Sequence, residues 1–221
     1  MSSRDLLIVL FYLSPIILLA GIILNVRRFK LISGWAKLLF IYLVTALITD
    51  LTGRVLAHYS GSNLLLVPLY GFVELLIIGI LYKKYMLKAG AWLTYVLVIM
   101  LLLILADGYQ VASVGRADFQ SYGRVIDYAC IMALCLYYFF QTMAAGTFNK
   151  DKLILNSAIL IYAIIDLLIF LPINFLINLR SDEDLRLIIW FIHFMLTISF
   201  YVLLIYMIWK NGRSRLQSSS G

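Results

Sequence analysis

Charged side chains are scarce in this chain: they fill 13% of its 221 positions, where a soluble globular domain carries about 25%. That shortfall excludes a water-solvated fold. Cysteine is nearly absent too, and Cys130 and Cys135, five apart inside one apolar run, fall on different faces of a helix. Neither a structural disulfide nor a thiolate metal site is expected from them. The two histidines, His58 and His193, are too few for a three-histidine zinc site. No Gly-rich phosphate loop, Walker lysine, His-Glu-x-x-His or Gly-x-Ser-x-Gly occurs, so nucleotide hydrolysis and the common serine and zinc mechanisms lose support. The last apolar run holds no lysine before Lys210, which excludes a retinal Schiff base of the rhodopsin kind. A mixed site drawn from Asp50, Asp166, Glu74, His58 and His193 is the one metal option left by composition. No metal and no cofactor is assigned.

Apolar residues, by contrast, make up 64% of the chain. A bilayer core of about 30 Å needs roughly 20 of them per helical span. Long apolar runs predict seven spans, at about 5–26, 36–58, 64–84, 91–107, 124–146, 153–177 and 187–209. The expected fold is an all-α polytopic bundle, one seven-helix transmembrane domain over 1–211, with 212–221 as a disordered cytoplasmic tail. The first run, Leu6 to Val26, has no basic segment before it and no small-residue cleavage site, so it is read as a retained helix.

The net charge of +7 is a topology signal and carries no expectation of nucleic acid. Arg27, Arg28, Lys30, Lys37, Lys83, Lys84, Lys88, Lys150, Lys152, Lys210, Arg213 and Arg215 all fall on one side of the predicted membrane, together with a single acid, Asp151. The positive-inside rule makes that side cytoplasmic. With seven spans the N-terminus is then external, the C-terminus cytoplasmic, and the location the inner (plasma) membrane. Membrane lipids are the expected surroundings.

Several ionisable residues lie inside the predicted spans, where each costs at least a few kcal/mol and so tends to face the bundle interior. Asp50 and Arg54 share a face of the second helix, with His58 a turn further out. Glu74 lies on the third, Asp107 ends the fourth, Arg124 and Asp127 open the fifth, Asp166 lies in the sixth and His193 near the outer end of the seventh. At a 1.5 Å rise, Asp50 and Asp166 lie roughly 20 Å from the inner surface and Glu74 near the midplane. A polar cavity open to the exterior is the expectation, lined by Asp50, Arg54, Glu74, Asp127 and Asp166, with Arg54 as its deep cation. The plainer reading makes Asp50 with Arg54, and Arg124 with Asp127, ion pairs that hold helices together, and leaves His58, Asp107 and Arg124 at the wet interface. A lone histidine on an apolar helix, such as His193, is more often a hydrogen-bonded packing residue than a ligand.

Ala46-Leu47-Ile48-Thr49-Asp50-Leu51 and Ala163-Ile164-Ile165-Asp166-Leu167 are similar words on parallel helices. They suggest a 3+1+3 arrangement in which helices 1–3 and 5–7 repeat about a connecting helix 4. Pro172, in helix 6, frees the carbonyl of Leu168 beside Asp166.

The stretch from Leu47 to Lys84 carries Ile48-Thr49-Asp50-Leu51-Thr52-Gly53-Arg54, then Asn63 to Tyr70, Glu74 and Tyr82-Lys83-Lys84. It resembles uncharacterised seven-helix bacterial membrane proteins, some of which look like the membrane portion of sensor histidine kinases. The 221 residues include no kinase domain, so the resemblance implies a separate cytoplasmic or membrane signalling partner. The leading expectation is a membrane sensor or binding protein for a small polar or amphipathic ligand. Its ligand-binding or proton-relay residues would be Asp50, Arg54, Glu74, Asp127, Asp166 and His193. A small proton-coupled transporter and an intramembrane lipid-active enzyme are the alternatives.

Overall fold

The computed structural model describes residues 3–60, 63–114, 122–146, 148–178 and 183–219. Among them are seven helices and no strand: α1 (Ser3–Val26), α2 (Gly34–Ser60), α3 (Leu66–Leu81), α4 (Trp92–Val114), α5 (Gly123–Ala145), α6 (Lys150–Asn178) and α7 (Glu183–Ser219). A π-helical turn, Tyr82–Met86, extends α3. Helices satisfy every backbone N–H and C=O internally, which is the condition for crossing hydrocarbon. Six of the seven are long and apolar enough to do so, and the described apolar part of α1, Phe11–Val26, is shorter. Large aliphatic side chains such as Ile16, Leu102 and Leu168 are more than half exposed. Lipid tails solvate such a surface, whereas water would drive it to aggregate.

Local chemistry sets the helix ends. Gly146 follows α5 at φ 61°, the left-handed conformation that ends a helix and that glycine adopts without strain. The Asn149 side chain accepts a bond from the Lys152 N–H at 3.1 Å and so caps α6. At the start of α5 the capping carboxylate comes from another helix: Asp107 accepts from the backbone N–H groups of Tyr122 (2.9 Å) and Gly123 (3.0 Å). This corrects the expectation that Asp107 ends the fourth helix. With its charge satisfied by an N-terminal dipole, α4 runs on to Val114. The seventh helix likewise continues to Ser219, into the segment 212–221 read as disordered. Gly212 lies against Ile32 and Arg28, and the guanidiniums of Arg28 and Arg213 sit 5.6 and 5.4 Å from the Trp209 ring centre, contacts that hold the extra turns.

The chain divides into two compact units, Met1–Leu51 with Leu187–Gly221, and Thr52–Arg186. In the first, Gly21 of α1 fits beneath Ile205 of α7, and Tyr42 of α2 meets Phe200 of α7 edge-on at 6.1 Å. The N–H of Ser33 is held at 2.8 Å by the Asn211 side chain. In the second, α3 packs on α4 and α5, α4 on α5, and α5 most extensively on α6, around a core that includes Leu75, Leu81, Ile104, Ile131 and Ile159.

Candidate functional site

The second unit has a charged centre. Arg124, in the first turn of α5, is 3% exposed, and Glu74 on α3, Asp127 on α5 and Asp166 on α6 are each at 0%. The guanidinium Nη1 donates to Glu74 Oε2 at 2.6 Å and to Asp127 Oδ2 at 2.8 Å. Its Nη2 donates to the Tyr128 hydroxyl, which in turn donates to Asp166 Oδ2 at 2.9 Å. The Tyr162 hydroxyl lies 3.5 Å from that of Tyr128. One cation therefore ties α3, α5 and α6 together, directly to two carboxyl groups and through a phenol to a third.

Sequence spacing explains why these atoms meet. Arg124, Asp127 and Tyr128 stand at i, i+3 and i+4, one stripe of a helix, and Tyr162 and Asp166 repeat the four-residue step on α6. Room for the guanidinium comes from Gly71, where a Cβ would sit 3.2 Å from Arg124 Cδ and 3.3 Å from Asp127 Oδ2. Aromatic faces complete the cage: the guanidinium carbon lies 4.9 Å from the Tyr70 ring centre, 4.4 Å from Tyr128 and 5.4 Å from Phe170. Cation–π attraction of this kind is strongest where water is excluded.

Glu74, Asp127 and Asp166 converge. Asp50 and Arg54 are half-buried a turn apart on α2, Asp50 in the first unit and Arg54 in the second. His193, in the first unit, is half-buried with its ring centre 5.6 Å from Trp190 and 6.0 Å from Phe194. The cation at the centre is Arg124, which the interface reading left at the membrane edge; the alternative pairing of Arg124 with Asp127 is the one observed. Helix-end position misled that reading, since Asp107 supplies the cap at this end of α5 and frees Arg124 to turn inward. The tyrosines and Gly71 were also passed over, although the i, i+3, i+4 spacing of Arg124, Asp127 and Tyr128 was visible.

In this conformation Glu74, Asp127 and Asp166 are fully buried. Among the described residues no three of His, Cys, Asp and Glu are placed to hold a metal ion. Both cysteines are free thiols. Cys135 accompanies a second buried polar group, in which the Tyr82 hydroxyl donates to Asn156 Oδ1 at 2.6 Å and lies 3.0 Å from the Cys135 sulfur. Comparison with family models, with curated proteins and with solved structures finds no match for this chain.

Proposed function

We propose that this chain is a multi-pass inner-membrane sensor, N-terminus outside and C-terminus in the cytoplasm, in which a small polar or amphipathic ligand is read by the Arg124 network. The observation that carries this reading is that one guanidinium serves acceptors on α3 and α5 directly and, through the Tyr128 hydroxyl, reaches a third on α6. A buried ion pair that loses one member costs about 3–5 kcal/mol. An anionic ligand group that replaces Glu74 or Asp127 at Arg124 would therefore have to keep the guanidinium paired while freeing a helix. α3, α5 and α6 would shift, and the lysines of the π-helical turn after α3 and of the start of α6 would present the change to a signalling partner. The resemblance of Leu47–Lys84 to uncharacterised seven-helix membrane proteins, some of which look like the membrane portion of sensor histidine kinases, points in the same direction.

The test is native mass spectrometry of the full chain released from nanodiscs, for wild type and for Tyr128→Phe, which keeps the ring and removes the hydroxyl between Arg124 and Asp166. A bound small molecule on the wild type that is weakened in a folded Tyr128→Phe protein is the expected result. No bound species on the wild type, with variants of Glu74 and Asp166 failing to fold, would make the network a structural clamp.

A second reading, a small proton-coupled transporter, rests on a different observation: the network contains one guanidinium and three carboxyl groups. Carboxyl groups clustered inside membrane spans are a recurring element of proton relays in transporters. Solute-driven proton movement in liposomes that persists unchanged in Asp166→Asn would remove this reading.

A further inference from the structure

At the opposite end of the second unit, where α5 turns into α6, lies a cleft of about 300 Å³, the lower end of the range for small-ligand sites. Two cations line it, Lys88 and Lys152, beside the side chains of Gln141 and Thr142, and no carboxylate does. Its apolar walls include Met86 and Phe148, the latter 65% exposed at the mouth.

Both lysines are held in place by bonds that leave their charge available. The backbone of Lys88 is tied to one side chain, its N–H donating to Gln141 Oε1 at 3.1 Å and its carbonyl accepting from Gln141 Nε2 at 3.4 Å. The Lys88 ammonium takes no part in these. Lys152 Nζ donates to the Tyr85 carbonyl in the π-helical turn, and an ammonium has three N–H groups, so two remain to point elsewhere. Tyr85 stands in the last turn of its helix, where carbonyls have no intrahelical partner, and π-helical turns recur at functional sites.

The level of the cleft decides what can fill it. The apolar span of α5 ends at Ala145 and that of α6 begins at Lys150, so the mouth lies where both helices leave hydrocarbon. Trp92 meets Tyr137 edge-on at 5.7 Å nearby on α4 and α5, the kind of aromatic pair that sits at headgroup depth. A group bound here therefore meets cations and amides at its head, and an apolar wall on the membrane side.

We propose that this cleft seats the phosphate headgroup of one anionic phospholipid, the phosphate between Lys88 and Lys152, the glycerol and first methylenes along Met86 and Phe148. The site is separate from the Arg124 network and stands whether or not that network binds a ligand. It differs from the diffuse attraction of a basic surface for anionic lipid in having a fixed stoichiometry and a shape.

The experiment uses the full chain in nanodiscs of phosphatidylcholine with a minor fraction of phosphatidylglycerol, released and weighed by native mass spectrometry. One retained phosphatidylglycerol per chain is expected on the wild type. Lys88→Gln, which spares the backbone bonds to Gln141, should lower that retention about five-fold, the worth of one lysine near an anionic surface. Ala145→Trp, which fills the cleft without changing charge, should abolish it. Lys83→Gln, an exposed lysine of the same end that does not line the cleft, should leave it unchanged. If Lys83→Gln and Lys88→Gln lower retention equally, the attraction is diffuse and the site is refuted. Retention undiminished in folded Ala145→Trp refutes it as well, and should that variant not fold, the comparison of the two lysines decides alone. Displacement of the lipid by millimolar inorganic phosphate would reassign the cleft to the free anion and overturn the lipid.

Discussion

Gly71 and Arg124 are a pair in the sense that neither side chain tolerates growth in the other. The 3.2 Å separation between a Cβ at position 71 and Arg124 Cδ can be relieved for alanine by a small shift, but the branched Gly71→Val has to displace the guanidinium or the helix. Overpacking of this kind costs about 1–3 kcal/mol, and the thermal unfolding midpoint of the detergent-solubilised protein should fall for valine well beyond the change for alanine. Removing the charge is harsher. Arg124→Gln leaves buried carboxyl groups without their cation and should destabilise by about 3–5 kcal/mol. Because Glu74 is one of the groups left behind, Glu74→Gln in the same chain should recover part of that loss. The two substitutions are expected to be non-additive by about 1 kcal/mol or more in a double-mutant cycle; strict additivity would mean that the 2.6 Å contact contributes nothing.

At the scale of the helices, the polar groups act as fasteners where apolar packing has little to distinguish one rotation from another. Lipid tails are as apolar as leucine, so helix association in a bilayer depends on close fit and interhelical hydrogen bonds. The Tyr82–Asn156 bond joins the end of α3 to α6, with Cys135 of α5 beside it. Tyr82→Phe removes the hydroxyl and leaves the fully buried Asn156 Oδ1 without its donor, a loss of about 1–3 kcal/mol. Thermal unfolding of Tyr82→Phe against the double variant Tyr82→Phe/Asn156→Leu checks the cause: the double should be the more stable, since it removes the stranded acceptor too. The seven helices themselves were legible as seven apolar runs, because span length is set by bilayer thickness. Their ends were less so. The fourth apolar run ends at Asp107, and yet α4 passes through it to Val114, since the carboxylate's partners, the N–H groups of Tyr122 and Gly123, are 15 and 16 residues away.

For the whole molecule, the distribution of lysine makes a prediction about sidedness. With Cys130 and Cys135 replaced, Asn63→Cys in the connection before α3 should react with an impermeant maleimide on intact cells, and Ser219→Cys at the end of α7 only after the cytoplasmic face is opened. Labelling of both from the same side would refute an odd number of crossings.

Composition and the spacing of apolar residues were enough to determine a membrane-spanning all-α protein and the approximate place of each helix, because backbone hydrogen bonding and bilayer thickness act on each segment alone. They also placed Glu74, Asp127 and Asp166 inside the spans. Which cation those acids would meet was decided by tertiary structure. Arg54 and Arg124 are both arginines near a helix end, and only the packing of α3, α5 and α6, with space at Gly71 and a cap from Asp107, directs Arg124 to the centre. The cleft at Lys88 and Lys152 is of the same kind, since it exists through the meeting of two stretches distant in sequence, Met86 to Lys88 and Tyr138 to Lys152. Contacts of that range have no periodic signature in a single chain, and they become visible only when the helices are packed.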